Sequence, residues 1–222
     1  MADRTPLDGT FYERAAGLYD LVATAPGVRS WRVRAVDALD LSPGDTVVEM
    51  GCGTGANIPY LREQVGTEGR VIGVDLAGAM LRQAQARTER AGWENVSVVR
   101  GDATTPPVGT ADALLATFVV GMLEDSTEAV ETWLQCVGAG GRLALLNAGR
   151  SPRPAAMPLN LCLRLFVRLA APGNRLRRRS PLRALEERWR RAREALFSET
   201  VDHREQRLGA GLVSLVSGRV PE

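Results

Sequence analysis

The sequence predicts an α/β protein built on a doubly wound, mostly parallel sheet of seven strands, the last two forming an antiparallel pair. Two observations carry this prediction. Short apolar runs and stretches of helical periodicity alternate five times between residues 46 and 147. The tips of the first three runs are marked by a glycine loop, VVEMGCGTGAN (47–57), and by two acids, Asp75 and Asp102. In such a sheet the crossovers are right-handed, and ligands bind beyond the carboxyl ends of the strands, near the point where strand order reverses.

Each element has its own signal. Phe11, Ala15, Leu18 and Val22 fall on one helical face after Asp8 and Gly9. Ser30 is placed to cap a helix that turns Trp31, Ala35 and Leu39 inward. SPGD (42–45) reads as a turn, and TVVEM as a short buried strand. Ile58, Leu61 and Val65 mark the next helix, with Pro59 tolerated in its first turn. GRVIGVD (69–75) is apolar on both faces, as parallel strands are. Residues 77–91 form a helix that stops at Gly92, and VSVVRGD (96–102) and ADALLATF (111–118) are the third and fourth strands. Asp125 and Glu128 have capping-box spacing for a helix with the core face Val130, Trp133, Leu134 and Val137. GAGGR then turns into the fifth strand, RLALLN (142–147).

The tail changes character. Residues 150–181 carry five prolines and the run LNLCLRLFVRLAA. Ser180-Pro181 opens an amphipathic helix with Leu182, Leu185, Trp189 and Leu196 on one side, supported by the i,i+4 pairs Glu186/Arg190 and Glu187/Arg191. TVDHREQ and GLVSLVSGRV make the terminal antiparallel strands.

A length of 222 residues with 45% apolar content fits one domain with a full core. DRTPLDGTFYER is polar and charged where a signal peptide requires an apolar run, and no run reaches the length of a membrane span. Cys52, Cys136 and Cys162 are odd in number and scattered, as in a reduced cytoplasmic protein, and no metal-ligand spacing is present. The net charge of +2 hides an asymmetry. Residues 1–149 hold 12 arginines against 19 acids, a balance of −7; residues 150–207 hold 15 against 6, a balance of +9. There is no lysine, which excludes lysine-based catalysis. The basic segment lacks the interleaved aromatics of a nucleic-acid surface. Asn160, Arg164 and Arg168 instead form a narrow polar stripe on an apolar helix, followed by Arg175 and Arg177–Arg179. Such a helix serves as a buried lid or as a peripheral contact with an anionic membrane, and the sequence leaves both open.

The glycine loop lets backbone groups approach a ligand without Cβ interference. A dinucleotide loop has the spacing G-x-G-x-x-G, but here Gly51, Gly53 and Gly55 follow at every second position. An NAD-dependent oxidoreductase is therefore the alternative and not the first reading. Asp75, 24 residues after Gly51, can accept both ribose hydroxyls, and Asp102 can accept from an exocyclic amine. Glu49 would repel a pyrophosphate but suits an ammonium or a sulfonium. These acids describe an adenosine that carries positive charge.

VVEMGCGTGAN, VIGVDLAGAML and VVRGDATTPP resemble the first three motifs of class I S-adenosylmethionine-dependent methyltransferases, over about residues 40–148. Upstream, YERAAGLYDL followed by SWR resembles the start of the ubiquinone/menaquinone biosynthesis C-methyltransferases, many of which also have CGTG in the loop. The resemblance implies a Rossmann-like sheet. It implies that Gly51 and Gly53 line the methionine part, with Cys52, Gly55 and Glu49 beside them. It further implies that Asp75 takes the ribose, Leu76 packs on adenine, Asp102 with Ala103 reads the adenine edge, and Tyr19 helps cover the cofactor. Thr117 and Phe118 would face the sulfonium and the acceptor. Glu49 stands where that quinone family has Asp, and the family's distal Tyr-rich helix with its Phe-Pro has no clear counterpart.

Plainer roles compete at several positions. Asp75 could cap a helix, Asp102 could close a turn, and Tyr12 and Tyr19 could be core. Cys52 suits small packing better than reaction, and His203, the lone histidine, suits an exposed strand. No general base is assigned; His203, Tyr19 and Asp20 are the candidates. The expectation is a single cytoplasmic methyltransferase domain. It comprises N-terminal helices (1–40), a cofactor-binding core (41–149), an Arg-rich helical insertion or lid (150–196) and terminal strands (197–222). The acceptor would be a lipophilic small molecule such as a prenylated quinol, with a phospholipid amine such as phosphatidylethanolamine second and a polar small molecule third.

Overall fold

The computed structural model of the chain describes residues 26–157, 160–161 and 181–222. Its strands are β1 (Thr46–Met50), β2 (Arg70–Asp75), β3 (Val96–Arg100), β4 (Ala111–Thr117), β5 (Val137–Ala148), β6 (Val201–Leu208) and β7 (Val213–Arg219). Its helices are α1 (Pro26–Asp37), α2 (Ile58–Val65), α3 (Gly78–Ala91), α4 (Ser126–Gln135) and α5 (Pro181–Glu199). The seven strands form one sheet in the order β3-β2-β1-β4-β5-β7-β6, with β7 antiparallel to both neighbours. Strand order reverses between β1 and β4, so the crevice at their carboxyl ends is the expected ligand position.

Alternation along the strands sorts side chains between two cores. Val48 and Met50 on β1, with Leu114 and Ala116 on β4, face α4 and α5. Val47, Ala113 and Leu115 face α1 and α2. By the same two-residue period, Glu49 and Thr117 point to the α1/α2 side, where both are buried. A carboxylate and a hydroxyl thus end two apolar rows.

Several boundaries depart from expectation. Ser30 does not cap α1. The helix starts a turn earlier with Pro26, and the Ser30 hydroxyl donates to Gly27 O at 2.9 Å. Val137 is not on the α4 face, because α4 ends at Gln135 and Val137 opens β5. GAGG belongs to that long strand, whose register against β4 shifts between Ala111 and Ala113. Gly141 explains the fit: a Cβ there would lie against Asp112 O. Asp125 caps α4 as predicted, accepting from the N–H groups of Thr127 and Glu128. In the tail, Glu187 pairs with Arg191, but Glu186 pairs with Arg150 at the end of β5, while Arg190 takes Glu187 and Glu194. Asn160, first of the polar stripe, bonds back to the chain after β5. Its amide accepts from Ser151 N at 2.8 Å and donates to Ser151 O at 3.0 Å. Helix α5 packs on α4 and on the turn after β4, where Arg188 donates to Gly121 O at 3.0 Å.

Candidate cofactor site

The loop after β1 is shaped by glycine. Gly51, Gly53 and Gly55 have φ of 64°, 55° and 74°, a region that side chains other than glycine rarely adopt. Gly51 shows why no Cβ is tolerated: it would overlap the side chain of Val119, beyond β4. Cys52 N–H donates to Val74 O at 3.0 Å, which ties the loop to β2. The Cys52 side chain is buried against Gly73, where a Cβ would come within 2.8 Å of its sulfur. Burial, then the nearby Glu49 and Asp75 charges, hold its thiol well above the ordinary range, which disfavours the thiolate.

Asp75 ends β2 and bridges two elements. One carboxylate oxygen accepts from Gly53 N and the other from Ala77 N, each at 2.8 Å. Asp75 is not the helix cap, a position taken by Ala77 without a side-chain bond; its carboxylate instead ties the glycine loop to the turn after β2. Leu76 beside it is 53% exposed. Asp102 is exposed, and its Oδ1 accepts from Thr104 N and Oγ1. Trp133 Nε1 donates to Ala103 O at 2.6 Å, fixing the backbone beyond β3.

Glu49 is fully buried in a polar cluster. Asn57 Nδ2 donates to Glu49 Oε1 at 2.5 Å and to Thr117 Oγ1 at 3.0 Å. Arg32 Nη1 donates to Asn57 Oδ1 at 3.0 Å and reaches Thr117 Oγ1 at 3.5 Å. Glu49 Oε2 is buried and has no hydrogen-bond partner among the described residues. Burial raises the Glu49 carboxyl to about 7, against the Asn57 hydrogen bond and the Arg32 charge, which lower it; Asp75 adds to the rise. Phe118 follows with φ of 61°, strained for a residue with a Cβ, and is pinned by its N–H donating to Leu146 O at 2.7 Å.

Of the residues expected from the sequence, the structure gathers Glu49, Gly51, Cys52, Gly53, Gly55, Asp75, Leu76, Asp102, Ala103, Thr117 and Phe118 at the carboxyl ends of β1 to β4 and the loops that follow. Tyr19, Tyr12 and Asp20 lie outside the described residues. His203 does not join them. It stands near the start of antiparallel β6, whose Val201 pairs with Arg219, and therefore lies toward the opposite end of the sheet. Its Nε2 contacts Thr200 O at 2.6 Å and its ring stacks on Phe197. Sequence reasoning missed Arg32, Asn57 and Val119. Asn57 closes the quoted loop motif and Arg32 closes SWR, but nothing local marks either as a site residue.

Among the described residues one oxygen of this buried carboxylate has no hydrogen-bond partner, a cost that a donor or a positive charge brought beside it would offset. The comparisons agree with the adenosine-and-cation reading. Residues 47–141 match the family described as "Methyltransferase domain". A demethylmenaquinone methyltransferase of Thermobifida fusca is 30% identical over 176 residues, covering 77% of this chain and 72% of that protein. A nocamycin O-methyltransferase of Saccharothrix syringae is 32% identical over 149 residues, covering 65% of this chain and 51% of that protein. A solved S-adenosylmethionine-dependent methyltransferase from Aquifex aeolicus superposes with a TM-score of 0.66 at 18% identity, covering 96% of this chain and 98% of that one, and so supports the fold. The chain belongs to the class I S-adenosylmethionine-dependent methyltransferases. It spans about half the length of several relatives it matches. The family's cofactor replaces the nicotinamide dinucleotide kept above as the alternative.

Proposed function

We propose that this protein transfers the methyl group of S-adenosylmethionine to a lipophilic small molecule, with a prenylated quinol as the leading acceptor. The observation that carries the reading is the buried Glu49 oxygen, unpartnered among the described residues, beside three left-handed glycines, with Asp75 one strand away. S-adenosylmethionine supplies a methyl group already activated on sulfur, so the protein's task is to align and to exclude water. Gly51 and Gly53 offer bare backbone to the methionine part. Asp75 keeps lone pairs for ribose hydroxyls, Leu76 presents an apolar face to adenine, and Asp102 with the Ala103 backbone reads the adenine edge. Glu49 balances positive charge in a place without water. Thr117 and Phe118 face the acceptor side, with the Phe118 ring held by Arg32 at 5.6 Å from its centroid.

Support for a lipophilic acceptor comes from the segment after β5. Pro152, Met157 and Leu161 line a cleft of about 820 Å³ with Arg150, Ser151, Asn160 and Glu186. Met157 and Leu161 are 75% and 66% exposed. The relatives named for demethylmenaquinone and nocamycin are in keeping with a small-molecule acceptor. A phospholipid amine is the second acceptor; of the basic tail, Arg150, Arg190, Arg191 and Arg193 are each ion-paired, and Arg164, Arg168 and Arg175–Arg179 lie outside the described residues. No described helix is long and apolar enough to cross a membrane. Peripheral contact with an anionic membrane is tested by co-sedimentation with anionic vesicles, which Ser replacements at Arg164 and Arg177–Arg179 would abolish.

The deciding experiment incubates the protein with methyl-labelled S-adenosylmethionine and a total lipid extract, then identifies the labelled product. A labelled quinol supports the reading. Label on a phospholipid amine transfers the assignment to the second acceptor, and label on neither, with polar metabolites methylated instead, removes the lipophilic acceptor.

A further inference from the structure

Arg32 is 4% exposed, lies on α1, and belongs to none of the strand-end motifs. It contacts Asn57, Thr117 and the Phe118 ring, and through Asn57 it is linked to Glu49. One buried cation therefore holds the polar ends of β1 and β4 and the first aromatic residue beyond β4. Neighbouring positions on and just beyond α1, namely Ala35, Val36 and Leu39, are apolar and buried. An apolar side chain at position 32 would leave the buried Asn57 Oδ1 without this donor and free the amide to turn away from Glu49.

We propose that Arg32 is a positioning residue of the cofactor site: through Asn57 it fixes the Glu49 carboxyl and the Thr117 hydroxyl toward a cationic ligand. The inference rests on the S-adenosylmethionine reading above. Among the described residues, the ionisable groups that act on Glu49 are Arg32 from α1, Asp75 from β2 and Cys52 from the glycine loop. Of these, Arg32 favours the anion, while Asp75 and burial favour the neutral acid. Asn57 adds a hydrogen bond that favours the anion, and Arg32 orients that amide. Removing Arg32 takes away its charge and loosens Asn57, and both changes move Glu49 ionisation to higher pH.

The test is calorimetric binding of S-adenosylmethionine and S-adenosylhomocysteine to the full chain across neutral pH. Wild type is compared with Arg32→Met, Arg32→Gln and Arg32→Lys, with thermal melts on each. In wild type, S-adenosylmethionine binding tightens as pH rises through the region near 7 where Glu49 ionises. In the two neutral variants, affinity at neutral pH falls about tenfold, in line with loss of a charge-assisted contact, and the midpoint of the pH dependence moves upward. Lysine restores the midpoint but only part of the affinity, because it lacks the planar fork. Lower melting temperatures with unchanged affinity and midpoint would overturn the proposal. If the neutral variants do not fold, Arg32→Lys decides, and wild-type affinity there overturns it. Failure of wild type to bind either compound would instead remove the cofactor reading, and this proposal with it.

Discussion

Gly51, at the tip of β1, lies so close to Val119, beyond the tip of β4, that a Cβ on the glycine would overlap the valine side chain. The two loops flanking the reversal of strand order therefore interlock, and the glycine is required twice, by contact and by its φ of 64°. Gly51→Ala should weaken S-adenosylhomocysteine binding tenfold or more, about 1.4 kcal/mol at least, by displacing the loop. The Gly51→Ala/Val119→Ala double variant should recover part of the loss but not all, because the backbone strain persists. Calorimetry on the four proteins of this cycle measures both parts, and equal losses in single and double variants would show that the valine contact is irrelevant.

Glu49 sets function against stability. Its carboxyl ionises near 7 in the folded protein, against 4.5 for the free side chain. A group raised in this way contributes stability that is present below pH 4.5 and lost as pH rises through 7, on the order of 3 kcal/mol at the upper limit. Glu49→Gln removes that slope. The ligand-free variant should gain thermal stability relative to wild type between pH 5 and pH 8 while losing cofactor affinity. Parallel melting curves across this range would show that Glu49 does not titrate there.

Cys52 occupies the space that Gly73 leaves empty. A Cβ at Gly73 would stand 2.8 Å from the Cys52 sulfur and 3.1 Å from its Cβ. Gly73→Ala should destabilise the protein by about 1–3 kcal/mol through overpacking, and Cys52→Ala in the same chain should relieve part of that cost. Denaturant unfolding of the single and double variants gives the coupling directly; additive effects would refute the contact.

Asp40 and Asp202 anchor the end of the sheet opposite the site. Asp40 accepts from Arg204 at 2.8 Å and lies 3.1 Å from Arg142 Nε without hydrogen-bond geometry, while Arg142 also pairs with Asp202. The Arg204 hydrogen bond, followed by the charges of Arg142, Arg204 and Arg219, outweighs partial burial and holds the Asp40 carboxyl below its ordinary 3.8. That stability is present above pH 3.8 and lost as pH falls through the lowered value. Asp40→Asn should lower the melting temperature at neutral pH, and the difference from wild type should shrink below about pH 4. A constant difference down to strongly acid pH would show that the ion cluster contributes nothing.

Much of the sheet was legible because its signals are local. Gly92 in the left-handed conformation stops α3, Asp125 caps α4, and Ile58, Leu61 and Val65 are the buried face of α2. The boundaries that failed were those decided by neighbours. GAGG reads as a turn, yet pairing with β4 and β7 draws residues 137–148 into one long strand. Glu186 has an arginine at helical spacing, yet Arg150 from the end of β5 reaches it at 2.6 Å.

The sequence by itself determined the order of strands and helices, the glycine loop, and the acids at the tips of β1, β2 and β3, because turn chemistry and hydrophobic period act over a few residues. Only the tertiary structure decided that Arg32, Asn57, Glu49 and Thr117 share one buried cluster, and that His203 stands far from it. These residues come from α1, the loop before α2, β1 and β4. No local rule links them until two strand rows and a helix close on the same face and exclude the water that would otherwise separate their charges.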